Sequence, residues 1–195
     1  MQICVYGASS NEIHPEFLQA GEALGAAMAA RGHGLVFGGG QKGLMGAVAR
    51  GMTRGNGTIV GVAPSFFDVE GVLYQQCTEF IFTETMRERK AIMEERADAF
   101  IMTPGGIGTF EEFFEILTLR QLGRHNKPIA VLNTRDYYGP LRQMLEQAIE
   151  QGFLRPECRG LCAFFEAPEQ LLDYLESDPG TAVDPSKLRD VLPKA

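Results

Sequence analysis

The feature that most constrains the fold is a regular alternation of short apolar runs with longer segments of helical spacing. Five runs rich in β-branched or aromatic residues have the composition of strands: residues 3–6, 35–37, 58–63, 99–103 and 128–133. Such runs, separated by helices, are typical of parallel strands buried on both faces. The alternation predicts an α/β fold with a single Rossmann-like, doubly wound parallel sheet and helices on both faces.

The intervening segments predict the helices. Residues 15–31 place apolar side chains at helical spacing, have a proline in the first turn and stop before Gly32. Further helices are predicted over residues 43–54, 85–97, 109–122, 138–151 and 168–176. A chain of 195 residues suits one domain. We expect that domain to cover residues 1–178, and residues 179–195, which lose periodicity, to form a C-terminal tail.

Composition excludes several functional classes. No apolar run approaches the ~20 residues that cross a bilayer, and no basic segment precedes the first strand, so we expect an unexported cytoplasmic protein without a membrane partner. Four cysteines without C-x-x-C spacing and three histidines favour neither disulfides nor a structural metal. The formal charge of −7, without a basic aromatic cluster, argues against nucleic-acid binding.

A first glycine-rich loop, Gly38 to Gly46, follows the second predicted strand. Gly40, Gly43 and Gly46 belong to this loop, which matches G-x-G-x-x-G. A dinucleotide site should supply an acidic residue about 20 positions later, and residues 44–67 contain neither Asp nor Glu. The loop therefore favours either an anion site or tight turns that pack a helix on the sheet, and Lys42 either contacts a phosphate or faces solvent.

A second glycine-rich loop follows the fourth predicted strand and leads into a helix. Gly105, Gly106, Ile107, Gly108 and Thr109 belong to it. Its glycines permit close backbone approach, and a helix start offers N–H groups to a phosphate. The alternative is structural, because Thr109 and Glu112 stand three residues apart and match a capping box.

A basic helix start lies between the two loops. Thr85 and Glu88 form a possible capping pair, and Met86 shares a helix face with Arg89 and Lys90. Arginine at a helix start opposes the dipole, so its placement is not explained by helix stability alone. Either a solvated basic face or a phosphate or carboxylate site fits this pattern.

Taken in order, these motifs resemble the Lonely Guy (LOG) family of cytokinin-activating phosphoribohydrolases. The resemblance rests on G-G-G-x-x-G-L-M-G, M-x-x-R-K and P-G-G-x-G-T-x-x-E, and it covers roughly residues 2–154. It implies hydrolysis of a nucleoside 5′-monophosphate, AMP or an N6-modified AMP, to free base and ribose 5-phosphate. It also implies a homodimer and no cofactor.

The resemblance assigns roles to individual positions. Arg89 and Glu112 match the catalytic pair. The expected substrate-binding residues are Glu70, Met86, Lys90, Gly105, Gly106, Ile107, Gly108, Thr109 and Thr118, together with Gly40, Gly43 and Gly46 of the first loop. The family has carried a lysine decarboxylase label, but nothing in the sequence positions a lysine and a ring-nitrogen partner for pyridoxal phosphate.

Two departures from the family pattern leave the base open. Arg87 stands where histidine is common after the methionine, and Leu119 stands where tryptophan often follows Thr118. One rival hypothesis is a non-catalytic nucleotide-binding or sensing protein of the same fold group. A second is another chemistry on a sugar phosphate, which the absence of a P-loop or acidic metal cluster disfavours.

Overall fold

The computed structural model describes residues 1–178, and within them seven strands form one sheet. The strands are β1 (Gln2–Tyr6), β2 (Gly34–Phe37), β3 (Ile59–Pro64), β4 (Glu79–Thr83), β5 (Ala99–Met102), β6 (Ile129–Leu132) and β7 (Ala163–Phe165). Their order is β4-β3-β2-β1-β5-β6-β7, and every neighbouring pair is parallel. The predicted α/β fold class is confirmed.

Within residues 1–178, six α-helices connect or follow these strands. They are α1 (Pro15–Ala30), α2 (Gly43–Arg54), α3 (Met86–Arg96), α4 (Ile107–Gln121), α5 (Gly139–Glu150) and α6 (Pro168–Ser177). None of the helices in the described part of the chain is long and apolar enough to cross a membrane. The predicted tail, residues 179–195, lies outside the described residues.

Alternate strand residues supply two cores. Ile3 and Val5 of β1 face the core that contains Leu24, Val48 and Leu171, which belong to α1, α2 and α6. The intervening strand residues face the other core, in which Met93 of α3 and Phe113 of α4 are buried. The helices thus cover both sheet faces, as a parallel sheet requires.

Two strands were absent from the sequence-based prediction, and both lie at sheet edges. β4 is only partly buried, and β7 has three residues, all half-buried. An edge strand is covered less completely, so its sequence carries a weaker apolar signal than a central strand. The five predicted strands are the more central ones.

Candidate active site

A cleft of about 500 Å³ opens at the carboxyl edge of the sheet. It lies beside β1. Strands β2, β3 and β4 lie in sequence on one side of β1, and β5 lies on its other side. Such a topological switch point separates the loops that follow neighbouring strands and leaves a crevice. The lining residues are Gly7, Ala8, Ser9, Gly38, Gly40, Lys42, Met45, Phe67, Gly71, Val72, Leu73, Met86, Arg89, Gly106, Ile107, Gly108, Thr109 and Glu112.

An arginine–glutamate pair forms the wall of this cleft. Arg89 projects from the first turns of α3 and donates from Nη1 to Oε1 of Glu112 on α4, at 2.6 Å, and from Nε to the Val62 carbonyl oxygen at 3.2 Å. The two residues are only 6% and 9% exposed. A charge-assisted hydrogen bond in such surroundings holds both side chains in fixed positions.

Burial and pairing act in opposite directions on Glu112. Removal of the carboxylate from water raises its pKa above the ordinary glutamate value, and the neighbouring Arg89 charge and hydrogen bond partly offset that rise. Glu112 is thus a carboxylate that holds a proton more readily than an exposed one does. A shifted acid in a cleft is a frequent property of catalytic carboxylates.

The second glycine loop forms the start of α4. The helix begins at Ile107, and its N-cap residue, Gly106, has no side chain that could cap the first N–H groups. A Cβ built on Gly106 or Gly108 would have no protein atom within 4 Å, and neither residue has a positive φ. Neither packing nor backbone conformation therefore requires glycine there, and the open space lies in the cleft.

The capping-box interpretation of Thr109 and Glu112 is wrong. The helix begins two residues before Thr109, so these residues do not occupy the N-cap and third helical positions, and Glu112 binds Arg89 instead. The corresponding box in α3 is real: the Glu88 N–H donates to Thr85 Oγ1, and the Thr85 N–H donates to Glu88 Oε2. In α4, Glu112 forms a charge-assisted hydrogen bond with Arg89 and no capping bond with Thr109.

The first glycine loop makes room for the side chain of Arg89 and turns the chain between β2 and α2. A Cβ at Gly38 would overlap Nη2 of Arg89, so only glycine leaves room for the guanidinium. Gly40 lines the cleft. Gly43 and Gly46, both predicted as substrate contacts, lie outside its lining, and a Cβ on either would overlap backbone carbonyl oxygens, of Ala8 and Gln41 respectively.

Four other predicted contacts lie outside the lining. Lys90 forms ion pairs with Glu111 and Glu115. Gly105 accepts a hydrogen bond from the Tyr137 hydroxyl through its carbonyl oxygen, at 2.8 Å. Glu70 is exposed beside the lining residue Gly71.

Thr118 is the fourth predicted contact outside the lining, and it lines a different groove. It stands about 16 Å along α4 from the helix start, in a second groove between α4 and α5 of about 410 Å³. Within one copy of the chain, the structure therefore does not bring Thr118 to the pair of Arg89 and Glu112.

Among the lining residues that were not predicted from the sequence, Gly7, Ala8 and Ser9 follow β1 directly, and Phe67, Gly71, Val72 and Leu73 lie between β3 and β4. They carry no charge and match none of the glycine-rich patterns, so motif analysis passes over them. The topological rule would have found Gly7, Ala8 and Ser9, since the loop after the central strand borders the crevice. Among residues 1–178 there is no group of three or more His, Cys, Asp or Glu placed to hold a metal ion.

Comparison with known proteins gives relatives over most of the chain. Residues 45–175 match the family described as possible lysine decarboxylase. The chain is 45% identical over 142 residues to a cytokinin riboside 5′-monophosphate phosphoribohydrolase of Rhodococcoides fascians, covering 72% of each protein. It is 35% identical over 175 residues to an enzyme of the same name from Arabidopsis thaliana, covering 90% of this chain and 82% of the relative.

Solved structures support the fold. A molybdenum cofactor binding protein from Rippkaea orientalis superposes with a TM-score of 0.70 at 22% identity, covering 90% of this chain and 95% of the other. The molybdenum cofactor carrier protein of Chlamydomonas reinhardtii superposes with a TM-score of 0.70 at 20% identity, covering 92% and 99%. At this identity the likeness extends to the fold alone.

Proposed function

Since this chain belongs to the LOG family of phosphoribohydrolases, we propose that it hydrolyses the N-glycosidic bond of nucleoside 5′-monophosphates. The products are the free base and ribose 5-phosphate, and the substrates are AMP or N6-modified AMP. The observation that carries the proposal is the buried pair of Arg89 and Glu112 in a cleft that also contains the open start of α4.

The start of α4 is the proposed phosphate site. The first N–H groups of a helix have no partner within it, and the dipole places partial positive charge there. Gly106 and Gly108 leave space over these groups, and Thr109, buried at the cleft, adds a hydroxyl. A phosphate bound here anchors the substrate at a point remote from the bond that breaks.

Glu112 is the proposed catalytic carboxylate. Departure of the base builds positive charge on the ribose ring, and a carboxylate near C1′ stabilises that charge. Glu112 in its ionised form can also accept a proton from the attacking water. The water hydroxyl bonds to C1′, the C1′–N bond breaks, and the bond electrons and one proton end on the ring nitrogen of the base.

Arg89 is the proposed orienting residue of the pair. A guanidinium stays protonated at ordinary pH, so Arg89 is a poor proton donor. Its two hydrogen bonds, to Glu112 and to the Val62 carbonyl, fix the carboxylate relative to the sheet. It also lowers the pKa of Glu112, which keeps more of that residue in the reactive, ionised form.

We further propose a cytoplasmic homodimer that acts on small molecules and not on nucleic acid. The acidic composition supports the exclusion of nucleic acid, since a net charge of −7 repels a phosphate backbone. The dimer rests on the family resemblance. Light scattering should give about twice the chain mass of 21.4 kDa, and a value equal to one chain would refute the dimer.

Product analysis tests the proposed activity. Purified protein is incubated with AMP, N6-isopentenyl-AMP, GMP, CMP and UMP, and the products are separated by chromatography. We expect free base and ribose 5-phosphate in equal amounts from the adenine nucleotides, and little product from adenosine. L-lysine serves as a further substrate, from which we expect no CO₂.

Glu112→Gln is the matched variant, because it keeps the shape of the side chain and removes its charge. We expect it to lower kcat by about a thousandfold, within the usual range for a catalytic acid–base group. Because it leaves the buried Arg89 without its counter-charge, it should also lower the free energy of unfolding by about 3–5 kcal/mol, so turnover is measured at a temperature at which the variant is folded. Unchanged turnover would remove Glu112 from the chemistry. Tight binding of AMP without cleavage by the wild-type protein would favour the nucleotide-sensing alternative.

A further inference from the structure

Two cationic side chains line the cleft among the described residues, and one of them is already neutralised. Arg89 lies 2.6 Å from the carboxylate of Glu112, the one acidic side chain in the lining. These opposite charges largely cancel for a ligand several ångströms away. The remaining cation in the lining is Lys42.

The neighbouring lysine of the basic helix does not compensate. Lys90 is held by the carboxylates of Glu111 and Glu115 on α4. It lies outside the lining of the cleft. Its charge is therefore committed to the packing of α3 against α4.

The backbone around Lys42 is held by hydrogen bonds, whereas its ammonium group has no hydrogen-bond or ion-pair partner among residues 1–178. The Gly46 N–H donates to the Lys42 carbonyl oxygen at 3.1 Å. The adjacent Gly43 N–H donates to Asn11 Oδ1 at 2.7 Å, and the Gln41 N–H donates to the Val72 carbonyl oxygen at 3.0 Å. Among the hydrogen bonds and ion pairs of residues 1–178, none involves the Lys42 ammonium. The position of the Lys42 backbone is thus fixed at the edge of the cleft, and its ammonium charge is not paired within residues 1–178.

We propose that Lys42 is a specificity-determining residue that binds the 5′-phosphate of the substrate. The inference rests on the proposed function, in which phosphate is the anionic group of the ligand. Lys42 supplies the charge, and the start of α4 supplies directed N–H donors. Because the phosphate stays bound throughout the reaction, Lys42 contributes equally to substrate and transition-state binding and acts on KM rather than on kcat.

Steady-state kinetics of Lys42→Met with AMP and adenosine test this role. For AMP we expect KM to rise about tenfold, the equivalent of one charge-assisted hydrogen bond at a partly exposed site, with kcat within about twofold. The kcat/KM for adenosine should not change, because that substrate has no phosphate. Lys42→Arg keeps the charge and should retain most of the affinity for AMP.

Arg124→Met is the matched control. It removes one exposed positive charge at the far end of α4, outside the cleft. It alters the net charge of the protein as Lys42→Met does and should leave both substrates unaffected. If Lys42→Met shows the same KM for AMP as Arg124→Met, the proposal is overturned and Lys42 is a solvated lysine.

Calorimetric binding of ribose 5-phosphate separates this inference from the proposed activity. If the wild-type protein releases no base from any nucleotide, the proposed activity fails, and the phosphate site is then judged by affinity alone. Weaker binding of ribose 5-phosphate to Lys42→Met than to Arg124→Met would still support the Lys42 site. Equal affinities in the two variants would refute it.

Discussion

At the scale of single residues, the cleft depends on a charged pair that is almost fully buried. Arg89 and Glu112 come from different helices and are 23 positions apart in the chain. Removal of either partner leaves the other as an uncompensated buried charge, a change that typically costs about 3–5 kcal/mol. The pair therefore couples the geometry of the candidate active site to the stability of the fold.

The pH dependence of turnover follows from the environment of Glu112. Burial raises its pKa above the ordinary value of 4.5, and the proposed mechanism needs the ionised form. We expect turnover to fall on the acid side at a higher pH than an exposed glutamate would give. A pH profile of kcat/KM for AMP measures this limb.

Arg89→Met should move that acid limb to still higher pH. The Arg89 charge and hydrogen bond lower the pKa of Glu112, so their loss raises it and reduces the ionised fraction at neutral pH. Where the variant turns over too slowly, the pKa of Glu112 is measured by carbon NMR. An unchanged pKa would show that the pair is not formed in solution.

Gly108→Ala should change stability and activity in opposite directions. The added methyl meets no protein atom, and alanine stabilises a helix by up to about 1 kcal/mol relative to glycine. The same methyl enters the proposed phosphate site, where steric conflict of about 1–3 kcal/mol should raise KM for AMP on the order of tenfold. Thermal melting and steady-state kinetics measure the two effects.

Gly105→Ala is the contrasting variant for that prediction. Its Cβ would overlap Oγ1 of Thr109 within the protein, so we expect loss of stability as well as of activity. If Gly108→Ala binds AMP as well as the wild type does, the start of α4 does not hold the phosphate.

At the scale of elements, close approach of α1 and α2 fixes the position of the first glycine loop. A Cβ on Gly25 of α1 would overlap the Val48 carbonyl oxygen, and a Cβ on Gly51 of α2 would overlap the Glu22 carbonyl oxygen. Backbone lies against backbone at this contact. Because α2 begins at Gly43, its packing against α1 determines where the preceding glycine loop reaches the cleft.

Gly25→Ala should therefore destabilise the protein although alanine favours helix. The atoms in conflict are backbone atoms of α2, which cannot rotate away, and overpacking of this kind costs about 1–3 kcal/mol. Chemical denaturation should give a lower midpoint for this variant. Gly160→Ala adds a methyl that contacts nothing within 4 Å and is the control; equal midpoints in the two variants would refute the close contact.

At the scale of the whole molecule, the parallel sheet is what assembles the site. All seven described strands run in one direction, so the loops after β1, β2, β3 and β5 reach the same edge. Residues as far apart in the chain as Gly7 and Glu112 thereby line one cleft.

Arg120→Met should lower stability without direct effect on the cleft. Arg120 is 1% exposed and joins α4 to the segment before β7, through the Leu161 carbonyl oxygen at 3.1 Å, and to the end of α6, through Asp178 at 3.0 Å. Loss of a buried ion pair of this kind should cost about 3 kcal/mol and lower Tm by roughly 2–4 °C for each kcal/mol. Arg159→Met breaks an exposed pair with Glu146 and should leave Tm nearly unchanged. Equal melting temperatures in the two variants would contradict the prediction.

The sequence by itself determined the fold class, the central strands and both glycine-rich loops. The spacing of apolar residues and the positions of glycines are local properties of the sequence. A central strand, or the loop that follows it, shows both patterns in full. Family motifs also indicated Arg89 and Glu112 as a pair before any geometry was known. The edge strands β4 and β7 were not predicted, because a partly buried strand has a weaker pattern of apolar residues.

Only the tertiary structure decided which residues meet. Local spacing allowed Glu112 to cap its own helix, and the structure instead directs it to Arg89. It commits Lys90 to Glu111 and Glu115 and leaves the ammonium of Lys42 unpaired at the cleft among the described residues. The physical reason is that local spacing fixes which face of an element a side chain occupies, whereas its partner is set by long-range packing of other elements.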